Sequence, residues 1–154
     1  MKKFKGVLYT VVALLCVVGL TGCGNKNVTG TLEEIMDKVY ADITQEERPM
    51  MLTNTEINEE NVESFLGTKD IEFEEALASE PGVSSIAHSV MLIRVKDNAN
   101  VEAIKEKLEN SVNPRKWYCV EADDVEIESK GNLIIVIMSS EKNVEKIENA
   151  FNRL

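Results

Sequence analysis

The sequence predicts one small α+β domain, a mostly antiparallel sheet packed with helices. Three observations carry that expectation. Apolar residues recur at helical spacing behind capping residues, as in Leu32, Ile35, Met36 and Val39 after Thr31. Two runs, Val90–Ile93 and Leu133–Met138, are apolar at every position, the pattern of interior strands covered on both faces. Between Val125 and Met138, two strand-like runs flank a glycine turn.

The first helix begins at Thr31. Thr31 and Glu34 have the spacing of a capping box, in which each side chain satisfies an otherwise unpaired backbone N–H. Leu32, Ile35, Met36, Val39 and Ile43 form its apolar stripe, and Pro49 closes the segment. A second short helix is expected over 59–66, with Asn58 as cap and Gly67 as stop. "DIEFEEALAS" reads as a strand because Ile71 and Phe73 alternate. After the "EPG" turn, "SSIAHSVMLIRVKD" reads as an interior strand. A third helix spans 101–111, with Asn100 as cap, Val101, Ile104, Leu108 and Val112 on one face, and Pro114 beyond its end. The hairpin follows, turning at Lys130-Gly131. A last helix after Ser140 presents Val144, Ile147, Phe151 and Leu154. The order is α-α-β-β-α-β-β-α. Its last six elements are a ferredoxin-like βαββαβ unit with the final strand moved to the front, which predicts two helices on one face and the N-terminal pair on the other.

Ahead of this domain, "MKKFKG" carries three lysines and no acid, and Val7 to Leu20 is a 14-residue apolar run broken only by Thr10 and Gly19. That length fits a secretory h-region of roughly 7–15 residues and falls short of the ~20 a membrane-crossing helix needs. Stretched from Gly6 to Gly24 the run has 19 residues, so an uncleaved anchor is the alternative. The residues "LTGC", Leu20 to Cys23, resemble the lipobox of bacterial lipoproteins. The resemblance implies cleavage between Gly22 and Cys23 and a diacylglycerol on the Cys23 sulfur. Two acyl chains hold a protein on a bilayer where one is marginal. Residues 1–22 are then a signal peptide, 23–30 the lipidated cysteine and tether, and 31–154 the domain, lipid-anchored to the cell membrane on its extracytoplasmic side.

Composition narrows the partners. Loss of Lys2, Lys3 and Lys5 leaves 14 basic residues against 27 acidic in the 132 residues from Cys23, a net charge of −13. Such a body disfavours nucleic acid, whose affinity comes from cations neutralising phosphates. It also disfavours lying flat on anionic lipid. Cys16 leaves with the signal and Cys23 is modified, so Cys119 is the one remaining thiol, expected as a small buried hydrophobe. No disulfide within the mature domain is then available, and stability must come from the core.

No segment carries a catalytic, metal or cofactor motif. The acidic clusters "NEENVE", "EFEE" and "EADDVE" lack the calcium-loop pattern and read as solvated faces. His88, the single histidine, shares strand parity with Ile86, Val90 and Leu92 and reads as structural. Two segments are candidate partner contacts. "RKWYC" places Trp117 and Tyr118 beside Arg115 and Lys116, although a Trp between helix and strand more often closes the core. "RPMML" places Met50 and Met51 in a loop, as an adaptable surface or as a plug.

The segments "TLEEIMDKVYADI", "PMM", "FLG", "MLIRVKD", "VEAIKEKLE", "ESKGNLIIVI" and "VEKIENAF" resemble a family of Gram-positive bacterial lipoproteins known only as a domain of unknown function. The resemblance implies location and fold and supplies no catalytic residues; the stretch between the third helix and the hairpin is shorter here than in that pattern. A non-enzymatic binding or accessory module with a cationic protein or cell-wall partner is the expected function. An envelope enzyme using dispersed carboxylates and a purely structural envelope protein are the alternatives. Replacing Cys23 with Ser should release the chain from the membrane fraction or leave it at precursor size. A variant that stays on the membrane at its normal size and lipid content contradicts the lipid anchor.

Overall fold

The computed structural model describes residues 27–154; Gly22, Cys23 and the apolar run before them lie outside the described residues. Helix α1 spans Leu32–Val39, and the capping box is present, with Glu34 N donating to Thr31 Oγ1 and Thr31 N to the Glu34 carboxylate, both at 3.2 Å. Then come β1 (Leu52–Glu56), α2 (Val62–Leu66), β2 (Glu75–Pro81) and β3 (Ser89–Arg94). Helix α3 (Val101–Ser111), β4 (Asp124–Lys130), β5 (Leu133–Ser139) and α4 (Glu141–Asn152) complete the chain. The five strands form one sheet in the order β1-β2-β3-β5-β4, every neighbouring pair antiparallel. The α+β architecture is therefore the one expected.

Alternation along β3 and β5 builds two cores. Val90, Leu92, Leu133, Ile135 and Ile137 point to one face and pack on α1 and α4, among Ile35, Met36, Ile147 and Phe151. Met91, Ile93, Ile134, Val136 and Met138 point to the other and pack on Val62, Phe65 and Leu66 of α2 and on Leu108 of α3. Burying each of these side chains stabilises the fold by about 1.5–3 kcal/mol before chain entropy is set against it.

The strand order β2-β3-β5-β4 is that of the permuted ferredoxin-like sheet, but the helix placement is not. Helices α3 and α4 lie on opposite faces, each beside one N-terminal helix. The handedness of strand-helix-strand crossovers explains this. Helix α3 joins β3 to β4, which run in the same direction, and is constrained; α4 joins no pair of parallel strands among the described residues, so this rule does not fix its face.

Several local expectations shift. Leu52–Glu56 is an unforeseen edge strand. Helix α2 starts three residues later, at Val62, with Asn61 in place of Asn58 at its N-cap position. Strand β2 begins at Glu75, beyond Ile71 and Phe73, and extends through Glu80 and Pro81, which were expected to turn. The hairpin turns at Gly131-Asn132, one residue later than expected, because Lys130 pairs with Leu133 and Gly131 adopts φ 61° at the first central position.

Residues 27–30, expected as free tether, are held on the domain. Val28 is buried in the α1/α4 core. Arg94 donates from Nη1 to Val28 O and from Nη2 to Gly30 O, each at 2.8 Å. Asn27 donates to Asp97 Oδ1 at 2.8 Å and accepts from Asn132 N at 3.2 Å. The chain therefore enters at the end of the sheet where β3 finishes and β5 starts.

Gly67, in the left-handed conformation at φ 74°, stops α2, and a Cβ there would sit 1.9 Å from Ser111 O at the end of α3. Gly67→Ala should destabilise the domain by about 2 kcal/mol or more, since it combines left-handed strain with a backbone clash. Chemical denaturation reads this directly; an unchanged midpoint would show that α2 and α3 do not meet as described.

Candidate functional site

The two candidate contact segments converge at the end of the sheet opposite Asn27. Met51 O accepts from Gly82 N at 2.9 Å, and Ser84 O, two residues on, accepts from Tyr118 N at 3.0 Å. The turn after β2 thus joins the methionine loop to the "RKWYC" segment. Met50, Met51, Val83 and Tyr118 are the exposed large hydrophobic residues of the described chain, with Met50, Met51 and Tyr118 between 67% and 79% exposed. All four lie in these three segments. A six- or seven-residue strand is about 20 Å long, which separates this apolar end from the Asn27 end.

The segments are held from beneath. Glu47 receives Lys142 at 2.5 Å and Lys146 at 2.6 Å, both from α4. The Lys142 and Lys146 ammonium groups, with help from Thr44 at the loop's start, hold the Glu47 carboxyl well below the usual carboxylate range. The loop carrying Met50 and Met51 is therefore pinned to α4. On the other face, Lys116 pairs with Glu80, which also accepts from Ser89 Oγ at 2.6 Å. The Lys116 ammonium lies 5.2 Å from the Phe65 ring centroid and 5.4 Å from that of Trp117.

Trp117 is half-buried against the α2/α3 core, as a core-closing residue, while Tyr118 faces solvent. Cys119, expected to be buried, is exposed, because its left-handed backbone at φ 61° turns the chain back after Tyr118. Met51, at φ 57°, is the other non-glycine residue with positive φ among those described. Both strained residues fall at this end, where non-glycine left-handed conformations cost about 1–2 kcal/mol each.

Beneath the apolar end runs a buried polar line that sequence reasoning did not assemble. His88, 1% exposed, lies 2.7 Å through Nε2 from Tyr40 Oη and 2.7 Å through Nδ1 from Ser139 Oγ. A neutral imidazole donates through one nitrogen and accepts through the other, so both contacts are satisfied without a charge. Burial pushes His88 down to about 4 and pushes the Tyr40 hydroxyl well above its ordinary value. Arg48 covers the Tyr40 ring at 4.9 Å. These residues lie 48 and 51 positions apart in pairs, and only the shared strand parity of His88 hinted at the contact.

Among the described residues no group of three or more His, Cys, Asp or Glu side chains is placed to hold a metal ion. The "EADDVE" cluster contains one perturbed acid, Glu126, raised by partial burial and then by Glu148, Glu128 and Asp124. No family model, curated protein or solved structure matches the chain.

His88 titrates lower in the folded chain than its ordinary value of 6.5, so protons bind preferentially to the unfolded chain. Its contribution is complete above pH 6.5 and is lost as pH falls towards 4, up to about 3 kcal/mol. Urea unfolding between pH 7.5 and 4.5 should show that loss, and His88→Gln should flatten the pH dependence above pH 5. An equal slope in both proteins would contradict burial of a neutral histidine.

Proposed function

We propose that this chain is a membrane-tethered extracytoplasmic lipoprotein that acts as a non-enzymatic binding module and presents the Met50, Met51, Val83 and Tyr118 end to a partner above the bilayer. The observation that carries the reading is the opposition of two ends. The tether enters at Asn27 beside Asp97 and Asn132, and the exposed apolar residues gather at the far end. With the lipid on Cys23, only Gly24, Asn25 and Lys26 separate the anchor from the bound Asn27. That stretch spans about 14 Å at most, less than the strands it would have to pass for the apolar end to dip into the same bilayer. The exposed residues are thus available to a protein or wall component and not to the lipid.

Charge and strain support the same reading. The net charge of −13 on the proposed mature chain favours a cationic partner and raises its association rate at low salt. Exposed methionine and tyrosine are contact-forming side chains, one adaptable and one amphipathic. Backbone strain retained at Met51 and Cys119 fits a surface shaped for contact more than for stability.

Two measurements separate contact from structure. A photocrosslinking residue at Met50 or Tyr118 in intact cells should yield one reproducible adduct, and the same residue at Glu109 on α3 should not. Met51→Asn should raise stability by about 1 kcal/mol, because Asn tolerates the left-handed region, while lowering the yield of that adduct. Equal adducts from all three positions, or none, would contradict the apolar end as the contact surface.

A further inference from the structure

Strand β1 is an edge of the sheet, and among the described residues no strand pairs with its outer side. Met51 O accepts from Gly82 N, and Ile57 N donates to Ala76 O. With the register Thr53↔Glu80 and Thr55↔Ala78, the odd-numbered residues therefore turn their backbone groups towards β2. Leu52 and Asn54 present N–H and C=O outwards. Glu56 presents its N–H, its carbonyl being taken by Asn61 Nδ2 at 2.9 Å. Pro81 sits opposite Leu52, where no ladder bond to β1 is made, so its missing N–H leaves β1 undisturbed. The edge carries no proline, no lysine and no bulge, the devices that usually block pairing.

Against this edge, on the α1 side, lies a cavity of about 430 Å³ lined by Tyr40, Arg48, Leu52, Asn54 and Ser79, with Asp37 at its exposed rim. Ten lysines and arginines of the described chain pair with a carboxylate, but no ion pair joins Arg48 to one. Its Nε is buried with no hydrogen-bond acceptor among the described residues. A buried donor left unpaired is costly, and a carboxylate is the acceptor a guanidinium matches best. Asp37 is solvated at the rim and does not supply it.

We propose that β1 takes up an extended segment of a partner protein as a sixth strand, with a single acidic side chain of that segment, in a partner otherwise cationic, seated against Arg48. Main-chain bonds to Leu52, Asn54 and Glu56 give affinity, and the Arg48 cavity selects the acid, the division of labour in β-strand addition. The proposal deepens the binding-module reading and rests on it. A second copy of the chain is the competing occupant and is disfavoured by the tether. Two β1 strands pairing antiparallel would turn the second copy end over end, directing its Asn27 away from the bilayer that must hold its anchor.

The test is selection of displayed random heptapeptides against the full chain in mild detergent. Enriched peptides should carry Asp or Glu at one fixed position among β-branched residues. Arg48→Gln should weaken them by about tenfold or more. Asn54→Pro, which removes one outward N–H and no bond to β2, should abolish binding. N-methylation of alternate peptide backbone nitrogens should do the same on the unaltered chain, which guards against a misfolded variant. No enrichment, enrichment without an acid, binding indifferent to backbone methylation, or a stable dimer by sedimentation that Asn54→Pro dissociates would each overturn the proposal. Since this selection reads edge pairing alone, its failure leaves the anchor and the apolar end to be judged by fractionation and crosslinking.

Discussion

Two central strands that are apolar at every position determine most of what this domain can be. Val90–Ile93 and Leu133–Met138 cannot leave either face wet, so the sheet needs helices on both sides. Helices α1 and α4 cover one face, α2 and α3 the other. With both faces occupied, the sheet itself can meet other molecules only at its ends and edges. Residues 27–30 take one end, the exposed apolar residues take the other, and β1 is an edge whose outward backbone groups have no strand partner among the described residues. The proposed contact surfaces therefore lie where the core leaves the sheet uncovered.

The same polarity gives the polar line its meaning. Tyr40 closes α1, His88 precedes β3 and Ser139 ends β5, so their contacts tie three elements together just below the apolar end. Glu47 ties the α1–β1 connection to α4 through two lysines. A loop carrying exposed methionines would be mobile without these links. With them, Met50 and Met51 are displayed on a fixed base, which lowers the ordering cost of binding.

Elements whose signals are local could be read from the sequence. The Thr31–Glu34 box, the Asn100 cap of α3 and the stripe of α4 each need only their own residues, and they appear where expected. The lost readings depend on distant partners. "LTNTE" shows no apolar alternation because an edge strand with exposed side chains needs none; β2 and its backbone bonds alone make it a strand. Helix faces were misassigned because parity gives the face of a strand but not which helix covers it. Trp117, Tyr118, Met50 and Met51 were legible as contact-type residues, but their meeting depends on backbone bonds from Gly82 and Ser84 to two distant loops, which no local pattern announces. The unpaired Nε of Arg48 was equally hidden, since burial over Tyr40 and the lack of an acceptor among the described residues both depend on distant residues.

The proposed function turns on orientation: a chain anchored through Cys23 would stand on its Asn27 end, with the apolar end farthest from the bilayer. A spin label on exposed Cys119, compared with one introduced by Asn98→Cys beside the tether, tests it in vesicles whose headgroups carry a paramagnetic chelate. Strong relaxation at position 98 and little at Cys119 is the predicted result. Equal relaxation at both positions, or stronger relaxation at Cys119, would contradict the account.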